Sequence, residues 1–368
     1  MKLDINSKVL LDAVKVVGAC VKQKNTMPIL DNVLFEVAGK SLKITADNLE
    51  IRTQIEIDIV SKEKFSICVP YKKLVDILSV LANCPMSIKF EGSIAVIETK
   101  FGVYSIPCED GNLFVQPKEF EDFKSIKVSS GELIDAFRNG SLFIPPTDFD
   151  NLSNLFLNIS DDGIKVYTSD KNVMYEYSLT SIGELHKLLI PRSVVKYLSE
   201  SLMDEQEIEL NYTDTHLILK VENHSISAIL SEGKTPQFEK LFSSFKFDKT
   251  LTIDRELLQG TVKRLSSIND HAYQGLSFDI TSENVTVYFN NIDTNTSAKE
   301  VLPCKFDGEN LNIGFKAEYI LKIISVLETE DEISFKMIGE DKPCLISCEN
   351  TRILLAPMKI NNEPFKSK

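Results

Sequence analysis

One arrangement of elements is spelled three times along the chain, and that repetition restricts the fold more than any single motif does. The first block runs from "SKVLLDAVKVVGACVKQ" through "DNVLFEVAGKSLKITADN" and "SICVPYKKLVDILSVLA" to "MSIKFEGSIAVIETKFGVYSIP". The second repeats the order with "GELIDAFRNGSLFI", "SNLFLNISDDGIKVYTSD", "LLIPRSVVKYLSESL" and "EIELNYTDTHLILKVENHSISAIL", and the third with "RELLQGTVKRLSSI", "QGLSFDITSENVTVYFNN", "LNIGFKAEYILKIISVL" and "EISFKMIGEDKPCLISCENTRILLAPM". Each block reads as helix, strands, helix, strands. Helical spacing of apolar residues carries the helices, as with Leu10, Val14, Val17 and Val21 behind a Ser7 N-cap. Alternation and β-branched content carry the strands, as in "HLILKV" and "VTVYF". The pattern predicts an α+β protein of three tandem modules, each with two helices on one face of antiparallel sheets: 1–122, 126–246 and 249–368, the last with a short tail at 361–368. Polar text at "FEDFKS" and "SSFKFDK" marks the seams. Modules in a row leave unpaired sheet edges at both ends, so an oligomer closing on itself is expected.

The chain has 368 residues, 43% of them hydrophobic, enough for two or three cores. Charges interrupt every apolar run before membrane-spanning length, and "MKLDINSKVLLDAVKVV" lacks a signal-peptide layout; a cytoplasmic protein with no membrane partner is expected. Seven cysteines, an odd number at scattered spacing in apolar strand text, read as reduced core thiols. The four histidines are dispersed, so no metal and no cofactor are expected. No Walker loop, GxGxxG, GxSxG, HExxH or CxxC occurs, and Asp161 with Asp162 sits in turn text, so the reading is not that of an enzyme.

A net charge of −13 argues against nucleic acid until the 41 Lys and Arg are located. Lys8, Lys15 and Lys22 recur every seven residues, a stripe opposite the apolar face of the first helix. The second helix of each block opens on cations: Lys72 and Lys73, then Arg192, then Lys316. Positive charge at a helix N-terminus costs a few tenths of a kcal/mol. Its threefold recurrence points to an anion nearby, and phosphate suits both helix N-termini and side-chain cations.

With these blocks, and with "TMPILDNV" at 26–33, "VPYKKL" at 69–74, "IPRSVV" at 190–195, "GKTPQFEKL" at 233–241 and "LLAPMKI" ending at Ile360, the chain closely resembles the bacterial DNA polymerase III beta subunit family, the beta sliding clamps, over nearly its whole length. The resemblance implies a head-to-tail homodimer, six modules per ring, around duplex DNA held without regard to sequence. It implies a processivity factor that tethers the replicative polymerase and meets the clamp loader and other clamp-motif proteins. Carried over, Lys24, Lys72 and Arg192, with Lys73 and Lys316, face DNA; Lys8, Lys15 and Lys22 are added from their spacing. A pocket for short hydrophobic peptides is implied at Leu152, the run Ser169 to Met174 (Lys171, Asn172 and Val173 among them), Pro236, Lys240, Leu241, Leu354, Leu355, Pro357, Met358 and Lys359. The dimer seam is implied at Tyr104 and Ile106 meeting Ile268 of the second copy. The family's Gly-His-Arg is replaced by Lys171-Asn172-Val173, which places motif preference in question, and the acidic cluster opposite the seam is thin in "NNIDTNTSAKE". The hairpin "SLKITADNLEIRTQ" has a cousin in "GIKVYTSDKNVMYEYS"; the first reads as a structural turn, the second as a pocket wall. A repeat-built protein scaffold that never meets DNA is the competing reading.

Overall fold

The computed structural model describes residues 1–21, 27–61, 63–116, 122–146, 151–202, 207–268, 275–291 and 294–359. Among these lie seven α-helices: α1 (Ser7–Gly18), α2 (Tyr71–Val80), α3 (Ser130–Ser141), α4 (Arg192–Ser201), α5 (Phe238–Ser243), α6 (Arg255–Ile268) and α7 (Ala317–Val326). Lys22, Lys24, Thr26, Ile360 and the tail 361–368 fall outside the described residues.

The chain packs as two compact units, Met1–Ile134 with Ser193–Glu232 and Asp135–Arg192 with Gly233–Lys368. The repeat boundaries and these packing units are different divisions, because two sheets run across the repeat seams. In unit one a nine-stranded antiparallel sheet joins Lys124–Ser129, Glu207–Tyr212, His216–Val221 and His224–Ile229 to Ile51–Asp58, Ser41–Asp47, Asn32–Ala38, Lys64–Pro70 and Glu109–Asp110. The joint is the pairing of His224–Ile229 with Ile51–Asp58, in register Ile226 to Thr53 and Ser227 to Arg52. In unit two the nine strands run His186–Pro191, Asn154–Ser160, Gly163–Ser169, Val173–Leu179, Thr351–Leu355, Cys344–Cys348, Glu332–Met337, Lys249–Asp254 and Lys305–Phe306. There the joint pairs Met174 with Leu354 and Glu176 with Arg352. Each unit also holds a four-stranded sheet. One ends on Gly102–Pro107 and the other on Thr296–Pro303, strands with an unpaired outer edge among the described residues.

The α+β class and antiparallel pairing are as the alternation predicts. Leu10, Val14 and Val17 are buried, whereas α1 stops at Gly18 and Val21 lies beyond it. The N-cap is Asn6 rather than Ser7: the Asn6 side chain accepts from the Lys8 amide at 2.9 Å. Ser7 is buried instead, its hydroxyl donating to the Ala82 carbonyl and accepting from the Cys84 amide. A Cβ added at Gly18 would stand 1.9 Å from the Tyr71 ring, so the ring of α2 lies directly on α1 at this glycine and a side chain there would have to displace it.

Candidate peptide cleft and cationic helix starts

Two hairpin turns built alike stand at the two joints. In unit two the Asp170 carboxylate accepts from the amides of Asn172 and Val173, both at 3.0 Å. In unit one the Asn48 side-chain oxygen accepts from Glu50 and Ile51, at 3.0 and 2.8 Å. Each turn carries a non-glycine residue in the left-handed region at its centre, Lys171 at φ 79° and Leu49 at φ 70°. Asx side chains closing on their own backbone make such a turn tolerable. The strand arriving from the other repeat then hydrogen-bonds to the turn's last residue: Ala356 to the Asn172 carbonyl at 2.8 Å, Ile229 to that of Glu50 at 2.9 Å.

On unit two this frame supports an apolar floor. Phe156, Tyr167, Leu189, Phe238, Phe242, Leu345 and Leu354 form one buried cluster, with Leu152 and Met174 packed against it. Phe238 of α5 stacks on Tyr167, centroids 4.9 Å apart and planes 9° off parallel. Leu241 and Lys240, on the same short helix, are exposed, and Pro236 precedes it half-buried. Pro357 and Met358 are half-buried and Lys359 exposed; the Met358 amide donates to Gly314 at 2.8 Å, holding the segment down. Leu152, Met174, Leu241, Leu354, Pro357 and Met358 therefore share unit two with exposed lysines on α5 and at Lys359. Val173 and Leu355 differ. They pair with each other and, by strand alternation, point to the opposite face from Met174 and Leu354; both are buried in the core. Ser169 serves the turn, its hydroxyl donating to the Val173 carbonyl at 2.8 Å and accepting from the Lys171 amide.

Several residues that sequence reasoning missed hold this site. Arg352 pairs with Glu176 at 3.0 Å, and its guanidinium lies 4.7 Å from the Phe242 centroid. The Tyr319 hydroxyl donates to Asp170 at 2.5 Å and accepts from the Asn172 side-chain Nδ2 at 3.2 Å. Burial, then the bond to Asp170, raises the Tyr319 phenol, which stays protonated and able to donate. The spacing of Phe238 and Phe242 in "PQFEKLF" was a usable signal for α5; nothing local marks Arg352 or Tyr319.

The cations at helix starts are in place. Lys72 and Lys73 are exposed in the first turn of α2, where no side chain caps the helix and no acidic residue stands. Neither forms an ion pair among the described residues. Arg192 opens α4, exposed, with one hydrogen bond to the Pro145 carbonyl at 3.3 Å. Lys316 is the N-cap of α7, its ammonium 5.6 Å from the Tyr319 ring, so it stands beside the residue that anchors the pocket turn. Lys8 and Lys15 are exposed on α1, but Lys8 pairs with Asp12 at 2.9 Å, making that face less cationic than the lysine spacing alone suggests. At the candidate dimer seam Tyr104 is half-buried and Ile268 half-exposed. Ile106 is only 6% exposed and points into its own unit; Val103, on the outward face of that edge strand, is 66% exposed.

Family models for the DNA polymerase III beta subunit match this chain, the N-terminal domain over residues 1–122 and the C-terminal domain over 245–358. The chain belongs to the DNA polymerase III beta subunit family, the beta sliding clamps. It is 22% identical to the beta sliding clamp of Pseudomonas aeruginosa, over 98% of this chain and 100% of that protein. With the Escherichia coli K12 beta sliding clamp it is 23% identical, over 90% and 92%. Its fold is that of the sliding clamps: the P. aeruginosa structure superposes with a TM-score of 0.92 at 20% identity, covering 98% of this chain and 100% of that one. The Bacillus subtilis clamp gives 0.90 at 18%, covering 98% and 99%. No helix among the described residues is long and apolar enough to cross a membrane.

Proposed function

We propose that this chain is a DNA sliding clamp: a head-to-tail homodimer that rings duplex DNA, tethers the replicative polymerase and receives partner peptides in the unit-two cleft. The ring would comprise the three modules of each copy, 1–122, 126–246 and 249–368. It would act as a processivity factor rather than a catalyst, at work in the cytoplasm. The observation that carries the reading is the match of both family models to one chain whose clamp fold extends over 98% of its length. The physical chemistry supports it. A topological tether needs no base readout, only loose cationic contact with phosphate. Helix starts bearing Lys72, Lys73 and Arg192, with no acidic residue in either first turn, supply such contact. The copies would close through the edges Gly102–Pro107 and Thr296–Pro303, with Val103, Tyr104 and Ile268 at the seam and Ile106 supporting it from inside.

The cleft suits a short apolar peptide, since Met174, Leu241, Leu354 and Met358 offer adaptable hydrophobic surface and Lys171, Lys240 and Lys359 offer charge for a peptide's polar ends. Primer extension on a primed circular template, with cognate polymerase and clamp loader, is the test. The wild-type chain should lengthen the products. Leu241→Ala with Met358→Ala should cut peptide affinity roughly tenfold and shorten the products while the dimer persists in sedimentation. Unchanged affinity for a polymerase tail peptide would remove the cleft from the account.

A further inference from the structure

Unit one repeats the turn-and-strand frame of the proposed unit-two peptide site, and a cleft of about 440 Å³ opens on it. Its apolar lining comes from Leu49, Ile51, Val115, Ile218, Ala228 and Ile229. Two of these form exposed lips, Leu49 at 46% and Ile229 at 41%. An aliphatic side chain exposed to this extent gains by being covered. Register equates Arg52 with Met174 and Ser227 with Leu354, since Asp47 faces Arg52 as Ser169 faces Met174. The unit-one floor is thus polar where the unit-two floor is greasy.

Charge decides what would lie there. Arg52 is committed: it pairs with Asp47 at 2.6 Å and donates to the Val115 carbonyl, tying the wall to the floor. Glu50 accepts from the Ser193 hydroxyl, and His216 lies 2.8 Å from the Thr215 hydroxyl. Lys220 is exposed and has no ion pair among the described residues; its ammonium lies 5.6 Å from the Phe123 ring. The lining hydroxyls of Ser225 and Ser227 likewise have no hydrogen-bond partner among the described residues. We propose that this cleft is a second peptide site, taking a short segment that sets an aliphatic side chain beside a carboxylate: the aliphatic group between Leu49 and Ile229, the carboxylate toward Lys220 and the serine hydroxyls. The first hairpin would then be a binding wall as well as a turn.

The probe is acetyl-Gly-Leu-Asp-Leu-Gly-amide with one leucine replaced by its diazirine analogue, irradiated with the full chain at about 1 mM, a concentration suited to weak peptides. Mass spectrometry maps the adducts. They are expected within 47–52 or 225–229, retained in the Leu241→Ala, Met358→Ala variant and lost in Ile229→Glu. Yield should fall about threefold in Lys220→Glu or with Asn in place of Asp, the size of an exposed charge contact. Lys220 is a surface position, so that variant is readable even if Ile229→Glu does not fold. Adducts confined to 236–241 and 354–359, equal labelling by the Asp peptide and a Lys counterpart, or no adducts would each overturn the proposal. Loss of the unit-two cleft leaves this test intact, because the two sites share no residue.

Discussion

Arg352 pairs with a carboxylate that is 2% exposed, Glu176, while its guanidinium covers Phe242 under the apolar floor. Removing it leaves a buried charge without its partner, and such a loss costs more than the pair contributes when intact. Arg352→Ala should destabilise unit two by about 2 kcal/mol in urea unfolding, and adding Glu176→Gln should recover part of it; a neutral single variant would refute the pairing. Glu300 gives a pH signature. A hydrogen bond from Arg264, then one from Thr261, holds its carboxyl down to about 2. Its folded value lies below the unfolded one, so the stabilisation is present above about pH 4.3 and vanishes as pH falls through 2. Arg264 is largely exposed, which keeps the effect under about 1 kcal/mol. Glu300→Gln should melt slightly below wild type at pH 6 and level with it near pH 2; a constant gap would contradict the assignment. At this scale the sequence was least legible. Glu176 and Arg352 stand 176 residues apart in the chain, and Asp170 and Tyr319 stand 149 apart, pairs that only strand register and packing create.

Elements were far more legible, because period and punctuation are local properties. Alternating strands and the helix starts at Lys72, Lys73 and Arg192 appear where the text puts them, whereas α1 stops short of Val21 and Lys316 caps α7 instead of entering it. The errors were also local. Asn6, not Ser7, caps α1, since the residue before a buried serine had the free side chain. Lys8 loses its isolation to Asp12, one turn on. The helix starts yield a prediction of opposing sign. Lys72→Glu and Arg192→Glu place acid where a helix N-terminus favours it, so melting temperature should hold or rise slightly. DNA loading should nonetheless fall. Reduced loading with a lower melting temperature would assign the cations to folding, and unchanged loading would remove them from the DNA contacts.

For the whole molecule, the threefold repeat foretold the class and the antiparallel sheets but not the packing units. Strands of the central block complete two different nine-stranded sheets, one with the first block and one with the third. Pairing across a seam depends on which edges lie free after each block folds, which hydrophobic period does not encode. The same logic bears on two other edges, Gly102–Pro107 and Thr296–Pro303, which a second copy would cover. A chain of net charge −13 that holds DNA must do so by enclosure and local cations rather than by overall attraction. Retention on circular DNA tests this most directly. After loading onto a nicked circle and gel filtration at moderate salt, the protein should travel with the DNA, and it should be released when the circle is cut to a linear form. Equal retention on circle and linear DNA, or none on either, would contradict the account.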